Sequence, residues 1–432
     1  MLYPRGIQPV LGQTVGARRV TILTGPRQSG KTTLAQQLLT ELGHGTLRRL
    51  DDPALLEAAT ADPVGFVDTG ERPLVIDEVQ HAGDPLVRVI KQRVDEDDSA
   101  GQYLLTGSVN FLTAPIITES LAGRAAFLEV WPLTQSELSG SPERFIDHVF
   151  VHPNAARDLP DSTLTRYDYL ERLCRGGYPE AVRLSPRMRS RWFADYVKTI
   201  IERDITEQFG LRKVNELHQL LRLFAARTSN ELVMTAIVDE ASVERQTVYD
   251  HRAWLETAYL LHRIPAWSRN LTARVKKREK TLIPDSGLAA WLLGKSPAAL
   301  AKPTDPATGQ LLETFAAAEL LRQTAWADLE VSLWHWQDRE GAEVDLILEA
   351  SDGRVVAIEV KASASPTKQW FRWLTRMRDK LGGDFVHGIA LYTGRQVLPF
   401  GDRLTAAPID ALWSLTSEGT ATERLMRSPG AA

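Results

Sequence analysis

Three groups of residues in this chain have types and spacings that could do chemistry. The first is Gly25-Pro26-Arg27-Gln28-Ser29-Gly30-Lys31-Thr32, which fits the pattern G-x-x-x-x-G-K-[ST] directly after the apolar run Val20 to Leu23. That run reads as a short buried strand, and Thr33 to Leu39 reads as the helix that must follow. The context matters because phosphates are held by the backbone N–H groups of such a loop and by the positive end of its helix. Gly25 and Gly30 let the backbone wrap closely, Lys31 reaches the β- and γ-phosphates of ATP, and the Thr32 hydroxyl ligates Mg2+. Pro26, Arg27, Gln28, Ser29 and Thr33 complete the predicted phosphate cradle.

Downstream, Arg72-Pro73-Leu74-Val75-Ile76-Asp77-Glu78 is a second apolar strand ending in adjacent carboxylates. Asp77 is placed to hold the magnesium and Glu78 to polarise the attacking water. Acids also end buried strands simply where these meet solvent, but the P-loop nearby gives this pair a task. A third strand, Gln102 to Ser108, carries small polar residues at its tip. In additional-strand P-loop ATPases the strand between the two Walker strands bears a polar sensor, for which Ser108 is the first candidate and Asn110 the second. Arg124 follows a glycine at the edge of the apolar run Ala125 to Val130. A guanidinium offered there to a neighbouring subunit is an arginine-finger candidate, against the plainer reading of a surface arginine.

The second group lies at the C-terminal side. Glu359 and Lys361, one residue apart in the strand Val355 to Lys361, share a face, and Asp345 comes from the strand before. Two carboxylates and a lysine are what metal-dependent phosphodiester cleavage needs. Asp345 and Glu359 could hold an ion and Lys361 could steady charge, with Glu313 on the leading helix as an auxiliary acid. This resembles the PD-(D/E)xK nuclease core; cleavage and a scaffold role both remain open readings.

The third group is basic. Leu217 to Ala226, Met234 to Ala241 and Gln246 to Leu261 form three helical patterns at helix-turn-helix spacing. Arg245, Gln246, Thr247 and Tyr249 stand at the exposed beginning of the last. The following stretch carries Arg274, Lys276, Lys277 and Arg278, suited to the wing of a winged helix and to phosphate contact. Such modules also serve in ATPases as packing or protein-interaction units.

Taken in order, Gly25 to Thr32, Val75 to Glu78, Leu105 to Ser108, Leu121 to Arg124 and Trp131-Pro132-Leu133-Thr134-Gln135-Ser136-Glu137 resemble the prokaryotic AAA+ ATPases of the AAA_14/DUF4143 type, relatives of the archaeal ATPases. The resemblance continues through Gly176-Gly177-Tyr178-Pro179-Glu180, Glu202-Arg203-Asp204, Asp285-Ser286-Gly287-Leu288 and Glu343-Val344-Asp345. It covers nearly the whole chain. ATP with Mg2+ as cofactors is the expectation from the P-loop and the Asp77-Glu78 pair, a homo-oligomer that from the finger reading of Arg124, and DNA or a protein as partner that from the helix-turn-helix pattern. Leu282-Ile283-Pro284 departs from the resemblance, standing where the family usually has an aromatic pair before Asp-x-Gly.

These sites need three bodies to position them. The expected fold class is α/β: a P-loop core with a parallel sheet over residues 1–138, then a helical and winged-helix region over 167–295 and an α/β nuclease-like domain over 296–415. The polar, Pro-rich segment 139–166 reads as an exposed linker or insertion, and 416–432 as a disordered tail. At 432 residues the chain is too long for one core. Its 43% hydrophobic and 25% charged content is ordinary for a soluble protein, with no run suited to a membrane. A lone Cys174 excludes an internal disulfide, and the reading is cytoplasmic. A net charge of −4 argues against a generally polycationic nucleic-acid binder but allows local basic patches.

Overall fold

The computed structural model describes residues 2–107, 121–140, 144–205, 214–270, 274, 277–338 and 340–415. The N-terminal module is a five-stranded sheet of β1 (Val20–Thr24), β2 (Thr46–Arg49), β3 (Leu74–Asp77), β4 (Tyr103–Thr106) and β5 (Ala125–Glu129), in the order β2-β3-β4-β1-β5. Every pair is parallel. β1, β3 and β4 are buried at every position, which is why they read as continuous apolar runs rather than alternating ones. One face packs on the helix Gly83–Glu96 through Leu86, Val87, Ile90 and Val94; the other packs on Gln8–Ala17 and Lys31–Leu42 through Leu11, Val15, Leu34 and Leu38. The strand carrying the P-loop and the strand carrying Asp77 are thus separated by β4, the arrangement that the sensor argument required.

The segment 139–166 differs from the expected exposed linker. Residues Phe145–Val151 form a helix whose Phe145, Ile146, Val149 and Phe150 are buried. That i, i+1, i+4, i+5 stripe is a core-facing helical pattern, outweighed in the sequence by the surrounding prolines and polar residues. The segment straps onto the C-terminal module: Arg354 donates to Phe150 O at 2.8 Å, and Ser162 Oγ donates to Asp410 Oδ2 at 2.6 Å.

The middle region is mainly helical. Helices Val214–Ala225, Met234–Ala241 and Arg245–Thr257 are followed by the antiparallel hairpin of β6 (His262–Ile264) and β7 (Lys280–Leu282). Glu202 lies in a π-helical turn, Ile200–Ile205; the Arg203 and Asp204 side chains fall outside the described part.

The C-terminal module is a six-stranded mixed sheet: β8 (Val331–Gln337), β9 (Glu343–Ala350), β10 (Val355–Lys361), β11 (Phe385–Tyr392), β12 (Leu398–Gly401) and β13 (Leu404–Pro408), in the order β12-β13-β11-β10-β9-β8. β8, β9 and β10 pair antiparallel, β10 with β11 and β11 with β13 parallel, and β13 with β12 antiparallel. Helix Ala307–Gln323 covers one face and Arg372–Leu381 the other. One hydrophobic core runs without interruption from Phe145 through the helical region to Trp413, so no break in packing separates the middle and C-terminal parts.

Candidate functional site

At the C-terminal edge of the parallel sheet the loop after β1 turns on Gly25 (φ 129°) and Gly30 (φ 100°). A Cβ on Gly25 would stand 2.4 Å from the Val130 carbonyl oxygen, so the loop needs glycine there for close approach as well as for its dihedrals. The helix Lys31–Leu42 starts immediately after Gly30, aiming its free N–H groups into the loop. Lys31 Nζ folds back and donates to Gly25 O at 3.0 Å and Pro26 O at 2.8 Å. Burial pushes the Lys31 ammonium down to about 8, Glu78 opposing, Arg27 adding to the depression and Asp77 opposing.

Thr32 Oγ1 donates to Asp77 at 2.9 Å from Oδ1 and 3.0 Å from Oδ2, bringing together the two predicted metal ligands from different elements. A hydroxyl beside a carboxylate at the mouth of a phosphate loop is an oxygen donor set that fits Mg2+. Glu78 follows in the left-handed conformation (φ 55°, ψ 46°), uncommon for a non-glycine residue, with its carboxylate accepting from Gln80 Nε2. The sensor candidates Ser108 and Asn110 lie outside the described residues. Thr106, the last residue of β4, instead touches the site: its hydroxyl donates to Asp77 Oδ1 and accepts from the Glu78 N–H at 3.3 Å. Sequence reasoning passed over it, although a threonine closing an apolar strand between the Walker strands was a usable signal.

Arg124 sits before β5, whose Ala125 pairs with Val20 and whose Glu129 pairs with Thr24. It is therefore at the end of the sheet opposite the P-loop of its own chain. There it donates to Asp95 at 3.1 Å through Nη2 and to Ala122 O at 3.1 Å.

The P-loop is held from behind by Arg5, a residue that belongs to no motif. Buried Arg5 donates to Ser29 O (2.9 Å), Trp131 O (2.7 Å) and Glu137 Oε1 (3.0 Å). Glu137 and Thr134 form a reciprocal cap on the helix Gln135–Ser139. Around them the dispersed motifs meet. Leu133 N donates to Gly177 O at 2.8 Å, Gly177 N to Asp285 Oδ2 at 2.7 Å, and Gln135 N to Glu319 Oε2 at 2.9 Å. Arg322 joins Leu133 O (3.0 Å) to Pro284 O (2.9 Å). Desolvation raises the buried Glu319 carboxyl to about 7, with Arg322 opposing. Tyr196 OH lies 3.3 Å from Arg27 O and 2.9 Å from Tyr178 OH, a direct contact of the helical region with the P-loop.

The C-terminal acids come together around two ammonium groups. Asp345 accepts from Val360 N at 2.8 Å, and Lys361 reaches Glu359 and stands 3.7 Å from Asp345. Lys280, from β7 of the middle region and wholly buried, lies 2.7 Å from Glu313 and 2.7 Å from Glu343. Burial alone would depress this ammonium; Glu313, Asp345 and Glu343 more than offset it and leave it raised. Burial likewise lifts the Glu313 carboxyl to about 8 and holds the Glu359 carboxyl well above its ordinary range. In this arrangement Lys361 sits against Glu359 and Asp345, and Lys280 against Glu313 and Glu343. No cluster of three or more His, Cys, Asp or Glu among the described residues is disposed around a common ion position.

The basic group is divided. Arg245, Gln246 and Tyr249 are exposed, Gln246 bonding Asp250 at 2.9 Å, while Thr247 is half-buried. Arg278 is exposed and Lys277 donates to Gln337 O at 3.0 Å; Lys276 is outside the described residues. Arg274, expected to face phosphate, is instead a clamp: it grips Glu349 with two bonds of 2.8 and 2.6 Å and covers the Trp334 ring at 4.6 Å. A bidentate pair with a stacked ring leaves it no free donor face.

Residues 17–139 match the family model of an AAA domain, AAA_14. Residues 308–412 match the domain of unknown function DUF4143, and residues 166–299 match DUF8612, likewise of unknown function. One sequence thus carries a stretch similar to an AAA domain and, after it, a stretch similar to DUF4143. Uncharacterized proteins of Mycobacterium bovis and Mycobacterium tuberculosis are each 28% identical over 400 residues, covering 91% of this chain and 80% of theirs. Among solved structures, a Walker-type ATPase of Pyrococcus abyssi aligns with a TM-score of 0.39 and 15% identity, over 68% of this chain and 96% of that one. A multidomain signal-transduction ATPase with a tetratricopeptide-repeat sensor, from Pyrococcus horikoshii, aligns with a TM-score of 0.18 and 9% identity, over 74% and 47%. No helix among the described residues is long and apolar enough to cross a membrane.

Proposed function

We propose that the chain hydrolyses ATP to ADP and phosphate, and that turnover moves the helical and C-terminal regions, most effectively on DNA. The observation that carries this reading is the meeting of Thr32, Asp77, Thr106 and Glu78 at one edge of the sheet, beside the P-loop. Bound Mg2+ would neutralise phosphate charge there, with Thr32 and Asp77 as its protein-side ligands. Lys31 leaves the Gly25 and Pro26 carbonyls for the phosphates, and Glu78 orients the attacking water and takes its proton. Arg124, remote from its own P-loop, serves the site of a neighbouring copy in this reading, so the working form is a homo-oligomer. Exposed Arg245, Gln246, Tyr249 and Arg278 are the residues that favour DNA; a protein partner recruited by a slow nucleotide switch is the competing outcome.

The deciding measurement is the ATPase rate at several protein and salt concentrations, with and without DNA. Glu78→Gln should abolish turnover and keep ATP binding. A mixture of inactive Lys31→Ala and Arg124→Ala chains should regain activity, since one site in the mixture is complete. Turnover that is independent of protein concentration and of DNA would overturn both the shared site and the DNA reading. For the acid cluster around Asp345 we favour a structural junction over a nuclease centre, because Lys280 and Lys361 already meet its charge.

A further inference from the structure

A cleft of about 630 Å³ lies between the helices Arg166–Arg175, Pro186–Thr199 and Ser286–Leu292, away from the P-loop. Arg172, Arg175 and Arg189 line it, and Phe193 and Trp291 supply an aromatic wall with ring centroids 6.2 Å apart. The three guanidinium groups are unusual in what they bind. Arg172 (3.3 Å) and Arg175 (3.0 Å) share one neutral acceptor, the Gln135 amide oxygen, and Arg189 donates to the carbonyls of Ala181 (3.0 Å) and Leu184 (2.8 Å). None of the three makes an ion pair among the described residues, and the buried Arg175 Nε has no hydrogen-bond partner. The acids of the cleft meet them only through space, without an ion pair: Asp168 caps its own helix through Thr165 while feeling Arg172, and Glu171, exposed, acts on Arg175 at longer range. Lys295 is already paired with Asp305 at 2.7 Å. Crowded cations whose hydrogen bonds all go to neutral acceptors, in a half-enclosed cleft, are a site in want of a directly bound anion.

We propose that this cleft binds a small anionic ligand, a phosphate or carboxylate carried on a flat apolar ring. The anion meets Arg175 and Arg189, and the ring lies along Trp291. The site also has a route to the nucleotide. A ligand that draws the guanidinium groups off Gln135 acts on the short helix that Glu137 fastens to Arg5, and Arg5 holds the Ser29 carbonyl of the P-loop. Occupancy of the cleft therefore changes ATP affinity, and by linkage ATP changes the ligand's affinity.

Phenyl phosphate, benzoate and inorganic phosphate serve as probes, titrated by calorimetry into the full chain and into Lys31→Ala, which disables phosphate binding at the P-loop. Phenyl phosphate should bind both alike. Arg175→Gln and Arg189→Gln should each weaken it about tenfold, the loss expected for one charge-assisted hydrogen bond. Trp291→Ala should weaken phenyl phosphate several-fold and leave inorganic phosphate unchanged, which keeps the test decisive if an arginine variant fails to fold. Benzoate against phenyl phosphate tells which anion the arginines prefer. Binding that vanishes with Lys31→Ala, that ignores all three cleft substitutions, or that does not saturate by roughly 10 mM overturns the proposal.

Discussion

The Thr106 hydroxyl donates to the carboxylate of Asp77, across the boundary between the two central strands of the ATPase module. The same oxygen accepts the Glu78 N–H, so one side chain fixes both acids of the site. Thr106→Val keeps the shape and removes both bonds. It should lower the turnover rate at least tenfold with ATP affinity nearly unchanged, and cost about 1–2 kcal/mol of stability. A loss in ATP affinity alone would mean that Thr106 acts on the P-loop and not on the acids.

Lys31 gives the site a pH dependence with a definite sign. In the nucleotide-free chain its ammonium titrates near 8, lowered chiefly by burial. Polyphosphate charge beside it raises that value, so the bound form holds a proton that the free form has lost. ATP binding should take up protons above pH 8 and little below pH 7, and affinity should fall as pH rises through 8. Calorimetric enthalpies in buffers of different ionisation heat measure the uptake; an uptake that does not grow between about pH 7 and pH 9 would remove Lys31 as its source.

Lys280→Met removes an ammonium that stands between two carboxylates, leaving Glu313 without its cation. A cost of about 3–5 kcal/mol is expected in urea unfolding. The double substitution with Glu313→Gln should recover part of it, since an amide replaces a carboxyl that has lost its buried hydrogen-bond donor. On linear or single-stranded DNA with Mg2+ or Mn2+, the wild-type chain and Asp345→Ala should behave alike; cleavage dependent on Asp345 would restore the nuclease reading.

Arg5 is predicted to be a positioning residue for the P-loop. Arg5→Lys keeps the charge next to Glu137 but cannot span Ser29 O and Trp131 O together. ATP affinity should fall several-fold while the pH profile of turnover keeps its shape. Arg5→Met leaves Glu137 buried without its partner and should cost about 3 kcal/mol or more. If Arg5→Lys binds ATP as the wild type does, the loop does not depend on this anchor.

What the sequence disclosed and what it withheld follow a physical division. Lys31, Asp77 and Glu78 were legible because each belongs to a contiguous strand or loop whose pattern carries its own context. Asp345, Glu359 and Lys361 were legible through the two-residue period of a strand. Lys280 was not, because it reaches the acids from another part of the fold, 65 positions before Asp345. Arg5 was silent for the same reason: its partners Trp131 and Glu137 lie 126 and 132 positions away. Arg274 was misjudged because a basic run does not reveal that one of its members faces Glu349. The buried helix after Arg144 was concealed by the prolines around it.

The unbroken core from Phe145 to Trp413 has a consequence for how the chain comes to be folded. Tyr169, a member of that core, donates to the buried carboxylate of Asp410, 241 positions later. On the ribosome the helical region emerges long before β11 and β13 exist to cover it, whereas the parallel sheet of residues up to Glu129 closes on itself early. The chain therefore passes through a stage with a finished nucleotide module and an uncovered apolar surface behind it, the stage at which chaperones and aggregation compete for it.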